Sequence, residues 1–441
     1  MLKVLKFGGS SLADSSQFAK VKEIVESESS REVVIVSAPG KRNSDDNKIT
    51  DLLYLTHAHI RYGVAHDGVL SMIKKRFSEI RKGCGLETDI ESIIDETFAD
   101  VDKKTPVDFI ASRGEYFSAL LMAEYLGYQF VDAVDWLFFE YDGKVNAEKS
   151  EEKLKELKKQ YGRIVTPGFY GTMPNGDIRV FPRGGSDITG ALAAAYLGAD
   201  VYENWTDVSG ILMTDPRIVD NPKTIARVTY DELRELSYMG ASVLHEDTVF
   251  PVRIRDIPVN IRNTNEPDAP GTIIREHFED ELEEETERFI TGIAGKRNFS
   301  IISIYKSRIG EEKLGLLRQV LEVFARYKIP VEQIPSGVDS FSIVFPSDSI
   351  KKRKHELMHE LSELESIDNC ALTEGVSLIA IVGRQMAYRI GISGKIFKTL
   401  GENKINIRTI EQCADEINIM VGVFDEDFDR AIRVLYESFA K

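Results

Sequence analysis

The chain has 441 residues, a formal net charge of −16, 42% hydrophobic and 29% charged residues. That is the composition of a globular protein long enough for more than one core, and its acidity excludes nucleic acid and anionic membrane as main partners. No apolar run approaches the roughly 18 residues of a membrane span, no signal-peptide pattern opens the chain, and Cys84, Cys370 and Cys413 are scattered as in a reducing cytoplasm, with no disulfide framework or metal cluster.

The first predicted element is a strand, Met1 to Phe7, whose residues alternate and then run apolar. Gly8 and Gly9 end it, and Ser10 and Ser11 offer an N-cap to a helix carrying Phe18, Val21 and Val25. By itself this is an ordinary strand-to-helix turn. With Lys6 beside it, the free backbone N–H groups and the cation converge as a phosphate requires.

Further strands are predicted at REVVIVSAPG, PVDFIAS, GRIVTPGFYG, ADVYENWTDVSG and IPVNIRN, with helices over Glu115–Tyr125, Ser150–Gln160 and Ile188–Leu197. This alternation, up to about Ile274, predicts an α/β fold: a mostly parallel sheet sandwiched between helices, with ligands at the carboxyl ends of the strands. Glu115 falls at a predicted helix start, where the helix dipole favours a carboxylate. Thr50, Ser186 and Asp187 stand where N-caps stand. Ala191, Ala194 and Ala195 form a small face suited to close helix packing.

The acidic run REHFEDELEEETERF reads as a linker or an exposed helix. An internal repeat follows: GLLRQVLEVFARYKIPVEQI from Gly315 is similar to GISGKIFKTLGENKINIRTI from Gly391, a shift of 76 residues. The same shift pairs Ile329 with Ile405, Ile334 with Ile410, Asp339 with Asp415, Phe341 with Ile417 and Ile343 with Ile419. Each copy is predicted to run strand, helix, strand, strand, helix, strand, an α+β module suited to regulation or assembly. His355 and His359 lie four apart in KKRKHELMHEL, but no third ligand group is near in sequence, and a solvated charged face accounts for them.

Four stretches, in order, resemble the aspartokinases of the amino-acid kinase superfamily: KFGGSS from Lys6, SRGEYFSA from Ser112, GFYGTMPNGDIRVFPRGGSDITGALAA from Gly168 and NWTDVSGILMTDPR from Asn204. The tandem repeat resembles the ACT domains of that family. The resemblance spans nearly the whole chain and implies a catalytic domain over 1–280 and ACT-like (βαββαβ) modules over 290–368 and 369–441. It implies transfer of the γ-phosphoryl group of ATP to the side-chain carboxylate of L-aspartate, giving 4-phospho-L-aspartate, the first step toward lysine, threonine and methionine. A carboxylate of intrinsic pKa about 3.9 is already ionised at neutral pH and needs no general base. The work left to the protein is aligning two anions and neutralising the charge between them.

By the same resemblance Lys6 neutralises the transferring phosphoryl group, and Asp187 orients Lys6 and the substrate. Arg183 matches the arginine that grips the α-carboxylate, Glu115 the acceptor of the α-ammonium, and Thr50 and Ser186 further substrate contacts. Lys6, Phe7, Gly8, Gly9, Thr206, Asp207, Leu212, Arg217 and Ser242 fall at nucleotide positions. Leu212 replaces a family tyrosine and Ser242 a family lysine, while Arg113 receives no role. Mg2+ is implied as the companion of ATP, and phosphate oxygens supply much of its coordination without a dedicated protein cage. The implied effector site is Gly315, Leu316, Leu317, Val331, Glu332, Ser336 and Asp339, with helix-start N–H groups for the α-carboxylate. Glu332 and Asp339 favour a basic amino acid, hence L-lysine, at a site shared across a homodimer; a tetramer is the alternative assembly. Two rival readings are an amino-acid kinase with another substrate and, from Ser242, a catalytically weak amino-acid-sensing regulator. A dinucleotide-dependent oxidoreductase is excluded, since no G-x-G-x-x-G follows the first strand.

Overall fold

The computed structural model describes every residue except 183, 242, 243, 245, 279–289, 308–312, 365–366, 385, 387–389, 413–416 and 441. The chain divides into two compact units, Met1–Ile211 with Ala226–Tyr230 and Val243–Phe278, and Leu212–Ile225 with Asp231–Ser242 and Glu279–Lys441. From position 279 on, the predicted acidic linker lies outside the described residues. Among these, no helix is long and apolar enough to cross a membrane.

In the first unit β1 (Lys3–Phe7) is followed by α1 (Ser15–Glu26), β2 (Arg31–Val36) and the helices α2 (Ile49–Tyr62), α3 (Asp67–Cys84), α4 (Ile90–Ala99) and α5 (Val107–Leu126). Then come β3 (Gln129–Phe130), α6 (Ala147–Tyr161), β4 (Ile164–Pro167), the hairpin β5 (Tyr170–Thr172) and β6 (Ile178–Val180), α7 (Gly185–Leu197) and β7 (Val201–Thr206). The unit closes with β8 (Arg227–Thr229), α9 (Glu246–Ile254), β9 (Val259–Asn263) and β10 (Thr272–Arg275); α8 (Tyr230–Tyr238) lies between β8 and α9 in sequence. Eight strands make one sheet in the order β3-β4-β2-β1-β7-β9-β10-β8, parallel except where β10 meets β9. Period-two alternation sends Leu5 and Phe7 into a core with Phe18, Val21 and Val25 of α1. Lys6 is thereby turned to the opposite face.

Three local expectations are corrected. The stretch PVDFIAS is not a strand but the first turns of α5, begun by Pro106 at its N-cap with φ −59°. Its residues Ile110 to Ala123 are buried nearly all round, so the apolar pattern shows no helical stripe to read. Glu115 consequently sits mid-helix, away from the N-terminal dipole. Ser10 and Ser11 lie in a 3-10 turn, Gly9–Leu12, and it is Asp14 that caps α1 through the N–H groups of Ser16 and Gln17. Likewise Lys48 and Gly184 hold the N-cap positions of α2 and α7, which places Thr50, Ser186 and Asp187 inside the first turns.

In the second unit β11 (Gly292–Tyr305), α10 (Lys313–Tyr327), β12 (Ser340–Pro346), α11 (Lys354–Ser362), β13 (Asn369–Val382), α12 (Ile392–Glu402), β14 (Thr409–Gln412), β15 (Asn418–Phe424) and α13 (Phe428–Phe439) follow in order. The repeat is real in three dimensions: Ile329 and Ile405 are both buried, as are Ile343 and Ile419. Each copy has its own core, one around Ile302, Val320, Phe324 and Phe345, the other around Ile381, Ile396, Val421 and Leu435. The strand order within the second copy differs from a simple tandem. Gly292–Lys296, at the head of β11, pairs with Leu378–Val382 and takes the place predicted for the last strand of the second copy. Past Asn298, where φ is +73°, the rest of β11 pairs with β12 and with the start of β13 in the first copy. The two modules therefore share one continuous sheet, β12-β11-β13-β15-β14. Segments that precede them in sequence join this unit too. Glu232, buried, accepts hydrogen bonds from Thr291 Oγ1 and, at 3.2 Å, from Arg384 Nε.

Candidate active site

Parallel pairing of β1 with β7 puts Lys6 directly beside Asn204. Both point away from the core that takes Phe7 and Trp205, whose rings stack at 6.0 Å. Asp187, three residues into α7, comes down onto the same spot. Lys6 Nζ lies 2.6 Å from Asp187 Oδ1 and 3.4 Å from Asn204 Oδ1, and Asn204 Nδ2 donates to Asp187 Oδ1 at 2.8 Å. Lys6 is 7% exposed and Asn204 4%. A charge so withdrawn from water persists only when paired, and the same low polarity strengthens its pull on any anion entering beside it.

Lys6 and Asp187 line the floor of a cleft of about 760 Å³ at the carboxyl ends of β1 and β7 and the start of α7, with Asn204 behind them. Of the residues expected from sequence, Lys6, Gly8, Gly9, Thr50, Glu115, Ser186, Asp187, Thr206 and Asp207 line it. The two glycines have different reasons. A Cβ on Gly8 would make ordinary contact with Lys6 Nζ at 3.5 Å, so that side is open toward the ammonium. A Cβ on Gly9 would stand 2.8 Å from Ala38 O, and one on Gly40 2.7 Å from Gly9 C; the two loops touch backbone to backbone. Gly9 is thus a packing requirement as well as an opening.

Glu115 Oε2 is buried with no hydrogen-bond partner. Burial pushes its carboxyl up to about 8, against backbone hydrogen bonds and the Arg113 guanidinium, which pull the other way. A buried carboxyl with one oxygen left unpartnered beside a cleft is suited to a cationic guest. Arg113, two residues earlier, looks elsewhere: its guanidinium packs over the rings of Phe109, Tyr116 and Tyr170 at 4.7, 4.6 and 5.4 Å, and it donates to Ser112 Oγ.

Among the described residues, the others expected do not line it. Phe7 is wholly in the core, leaving only its backbone to a ligand. Leu212 and Arg217 fall in the second unit, where Leu212 bridges to Thr224 and the exposed Arg217 pairs with Asp215 at 2.6 Å. Arg183 and Ser242 lie outside the described residues. In the first copy of the repeat, Leu316 packs into the core, while Gly315 is in the first turn of α10. Lys313 Nζ donates to Gly337 O and so ties that turn to the loop carrying Ser336 and Asp339. Glu332, two residues beyond Pro330, accepts from Tyr238 OH, which with burial pushes that phenol well above its usual range. Leu317 is half-buried and Val331 exposed.

Sequence reasoning passed over Asn204, Lys41, Lys48, Tyr54 and Phe169, all but the first of which line the cleft. Phe169 is held at φ +79°, a conformation rarely adopted by an aromatic residue. Its neighbourhood in GFYG gave the only hint. Nothing local marks Asn204, because its partners lie 198 and 17 positions away. His355 and His359 both lie in α11, and no group of three or more potential metal ligands occurs among the described residues.

Comparison with known proteins follows the same lines. The amino acid kinase family model matches residues 1–263 and an ACT domain model residues 379–439. Aspartokinase 3 of Bacillus subtilis is 34% identical over 454 residues, covering 99% of this chain and 98% of that one. The crystal structure of Clostridium acetobutylicum aspartate kinase superposes with a TM-score of 0.90 at 44% identity, covering 99% of both chains. Escherichia coli aspartokinase III, 26% identical over the full length of both chains, superposes with TM-scores of 0.70 for its complex with aspartate and ADP and 0.74 for its complex with lysine and aspartate.

Proposed function

The chain belongs to the amino acid kinase family, among the aspartokinases, and from that premise we propose that it phosphorylates the side-chain carboxylate of L-aspartate with ATP and is inhibited by L-lysine. The observation that carries the chemistry is the buried Lys6 paired with the half-buried Asp187 on the floor of the glycine-walled cleft. An acyl phosphate forms when an aspartate carboxylate oxygen attacks the γ-phosphorus and the bond to the β-phosphate oxygen breaks, leaving ADP. No proton need move. Lys6 meets the charge gathering on the transferring group, held in place by Asp187. Gly8 leaves the backbone open beside it, and Lys41 and Lys48 add positive charge to the same walls. Glu115 receives the substrate ammonium, and Arg183, with Thr50 and Ser186, takes the α-carboxylate end. Thr206 and Asp207, at the end of β7, face the nucleotide, joined in this reading by the backbone of Phe7. Mg2+ bound with ATP would supply further charge neutralisation; Asp187, whose Oδ1 is taken by Lys6 and Asn204, has Oδ2 to offer, and Asp207 is a further carboxylate in the cleft, apart from the Glu115 assigned to the ammonium.

The E. coli relative crystallised with lysine supports the effector. Here the start of α10 receives its α-carboxylate and Glu332 its side-chain ammonium, within a cytoplasmic homodimer or tetramer built on the repeat modules. The effector acts only by binding two states of the enzyme unequally. Incubation with ATP, L-aspartate and hydroxylamine is expected to yield ADP and the aspartyl hydroxamate together; turnover with glutamate or acetylglutamate in place of aspartate overturns the substrate. At sub-saturating aspartate, lysine, threonine, methionine and diaminopimelate are titrated singly. Lysine is expected to inhibit, and Glu332→Ala to raise its half-inhibitory concentration at least about tenfold, the worth of one charge-assisted contact. Inhibition by threonine alone removes lysine as effector, and lysine inhibition unchanged in Glu332→Ala removes the site.

A further inference from the structure

We infer that Asn204 is a positioning residue for phosphoryl transfer, the part that keeps Lys6 available to the phosphate and not wholly spent on Asp187. Its amide is used at both ends: Oδ1 faces Lys6 Nζ at 3.4 Å and Nδ2 donates to Asp187 Oδ1 at 2.8 Å. Charge alone sets this orientation. A flipped amide would press its NH2 against an ammonium and its oxygen against a carboxylate. At 4% exposure the side chain has no water to substitute for either partner.

The consequence lies in how Asp187 shares itself. Oδ1 accepts from both Lys6 and Asn204, which pins the carboxylate plane and leaves Oδ2 on the side of Gly184, where a Cβ would come within 3.7 Å of it. Asp187 can therefore hold Lys6 with one oxygen while the rest of the ammonium faces the cleft. Without the amide donor the carboxylate is free to turn and chelate Lys6 with both oxygens. The ground state gains a tighter ion pair, and the transition state loses the cation it needs. The backbone reinforces the arrangement. Asn204 and Lys6 are register partners on adjacent parallel strands, and Tyr202 OH donates to the Asp187 carbonyl at 3.2 Å, anchoring the first turn of α7 over β7. Behind the strand, Glu203 and Trp205 face the other way, into a buried cluster with Arg31, so β7 itself cannot rotate.

This inference rests on the aspartate-kinase reading, so wild-type turnover on aspartate is measured first. If another carboxylic acid proves to be the acceptor, the comparison is run with that acid; a wrong substrate and an idle Asn204 thus give different results. Asn204→Leu, close in volume, is expected to lower kcat about tenfold while the KM values for ATP and the acid stay within about threefold, the signature of an interaction felt in the transition state. Asn204→Asp, which keeps the shape but replaces the donor with a second carboxylate beside Asp187, is expected to lose at least as much. Both are repeated in an Asp187→Asn background, by single-turnover quench where the steady-state rate is too low. There the further loss is expected to fall below about twofold, because Asn204 acts through Asp187. Equal losses in both backgrounds, a loss confined to KM, or wild-type kcat in Asn204→Leu overturn the proposal. Should Asn204→Leu fail to fold, the Asn204→Asp cycle decides by the same criteria.

Discussion

Lys6→Ala is expected to lower kcat by about 10³-fold, in line with removal of a preorganised charge aimed at a developing anion. The fold should survive. Lys6 is a penultimate strand residue whose stem leaves little behind, and Asp187, 21% exposed at its side chain, can recover water and keep its bond from Asn204. Thermal unfolding is therefore expected within a few degrees of wild type, and the KM for ATP to rise far less than kcat falls. Lys6→Arg is expected to rescue little, since a planar guanidinium cannot occupy the place of a compact ammonium lodged 3.5 Å from where a Gly8 Cβ would be. Steady-state kinetics with a coupled ADP assay check this; a kcat within tenfold of wild type for Lys6→Ala takes Lys6 out of the mechanism.

The second large effect concerns Glu115 and pH. Its carboxyl, pushed up to about 8 by burial, is mostly protonated in the empty cleft at pH 7 and must ionise to hold an ammonium. The affinity for aspartate is expected to rise up to about tenfold per pH unit from 6 to 8 and to level off above, with a proton released on binding below pH 8. Glu115→Gln is expected to abolish that slope and to raise the KM for aspartate on the order of 10²-fold at pH 8, the worth of a buried charge-assisted hydrogen bond. Its effect on stability has the opposite sign. Because the folded-state pKa lies above the unfolded one, the native protein holds a proton that the unfolded chain has lost, and stability falls as pH rises from about 4.5 to about 8. Glutamine carries no such cost. The variant without ligand is expected to be the more stable protein at pH 8, by roughly 3 kcal/mol or more, and to match wild type near pH 4. Thermal melts at the two pH values test the sign; a Glu115→Gln protein destabilised at pH 8 contradicts it.

Much of this protein is written in contiguous residues. The strand, glycine turn and helix start around Lys6, the second turn before Asp187, the alternation of an α/β sheet and the 76-residue repeat all come from local periodicity and spacing, which neighbouring residues carry whatever the rest of the chain does. Tertiary structure alone decided the remainder. It made PVDFIAS a helix, because a segment buried on every side has no stripe to betray its period, and so moved Glu115 from a helix start to an interior position where one carboxyl oxygen has no partner and the pKa is displaced. It brought Asn204 against Lys6 across 198 residues, through strand register that no single segment encodes. It also gave the head of β11 to the second module, since an open sheet edge is satisfied by whichever strand reaches it. Spacing chooses the residues, but register and burial determine which of them meet and in what state of charge.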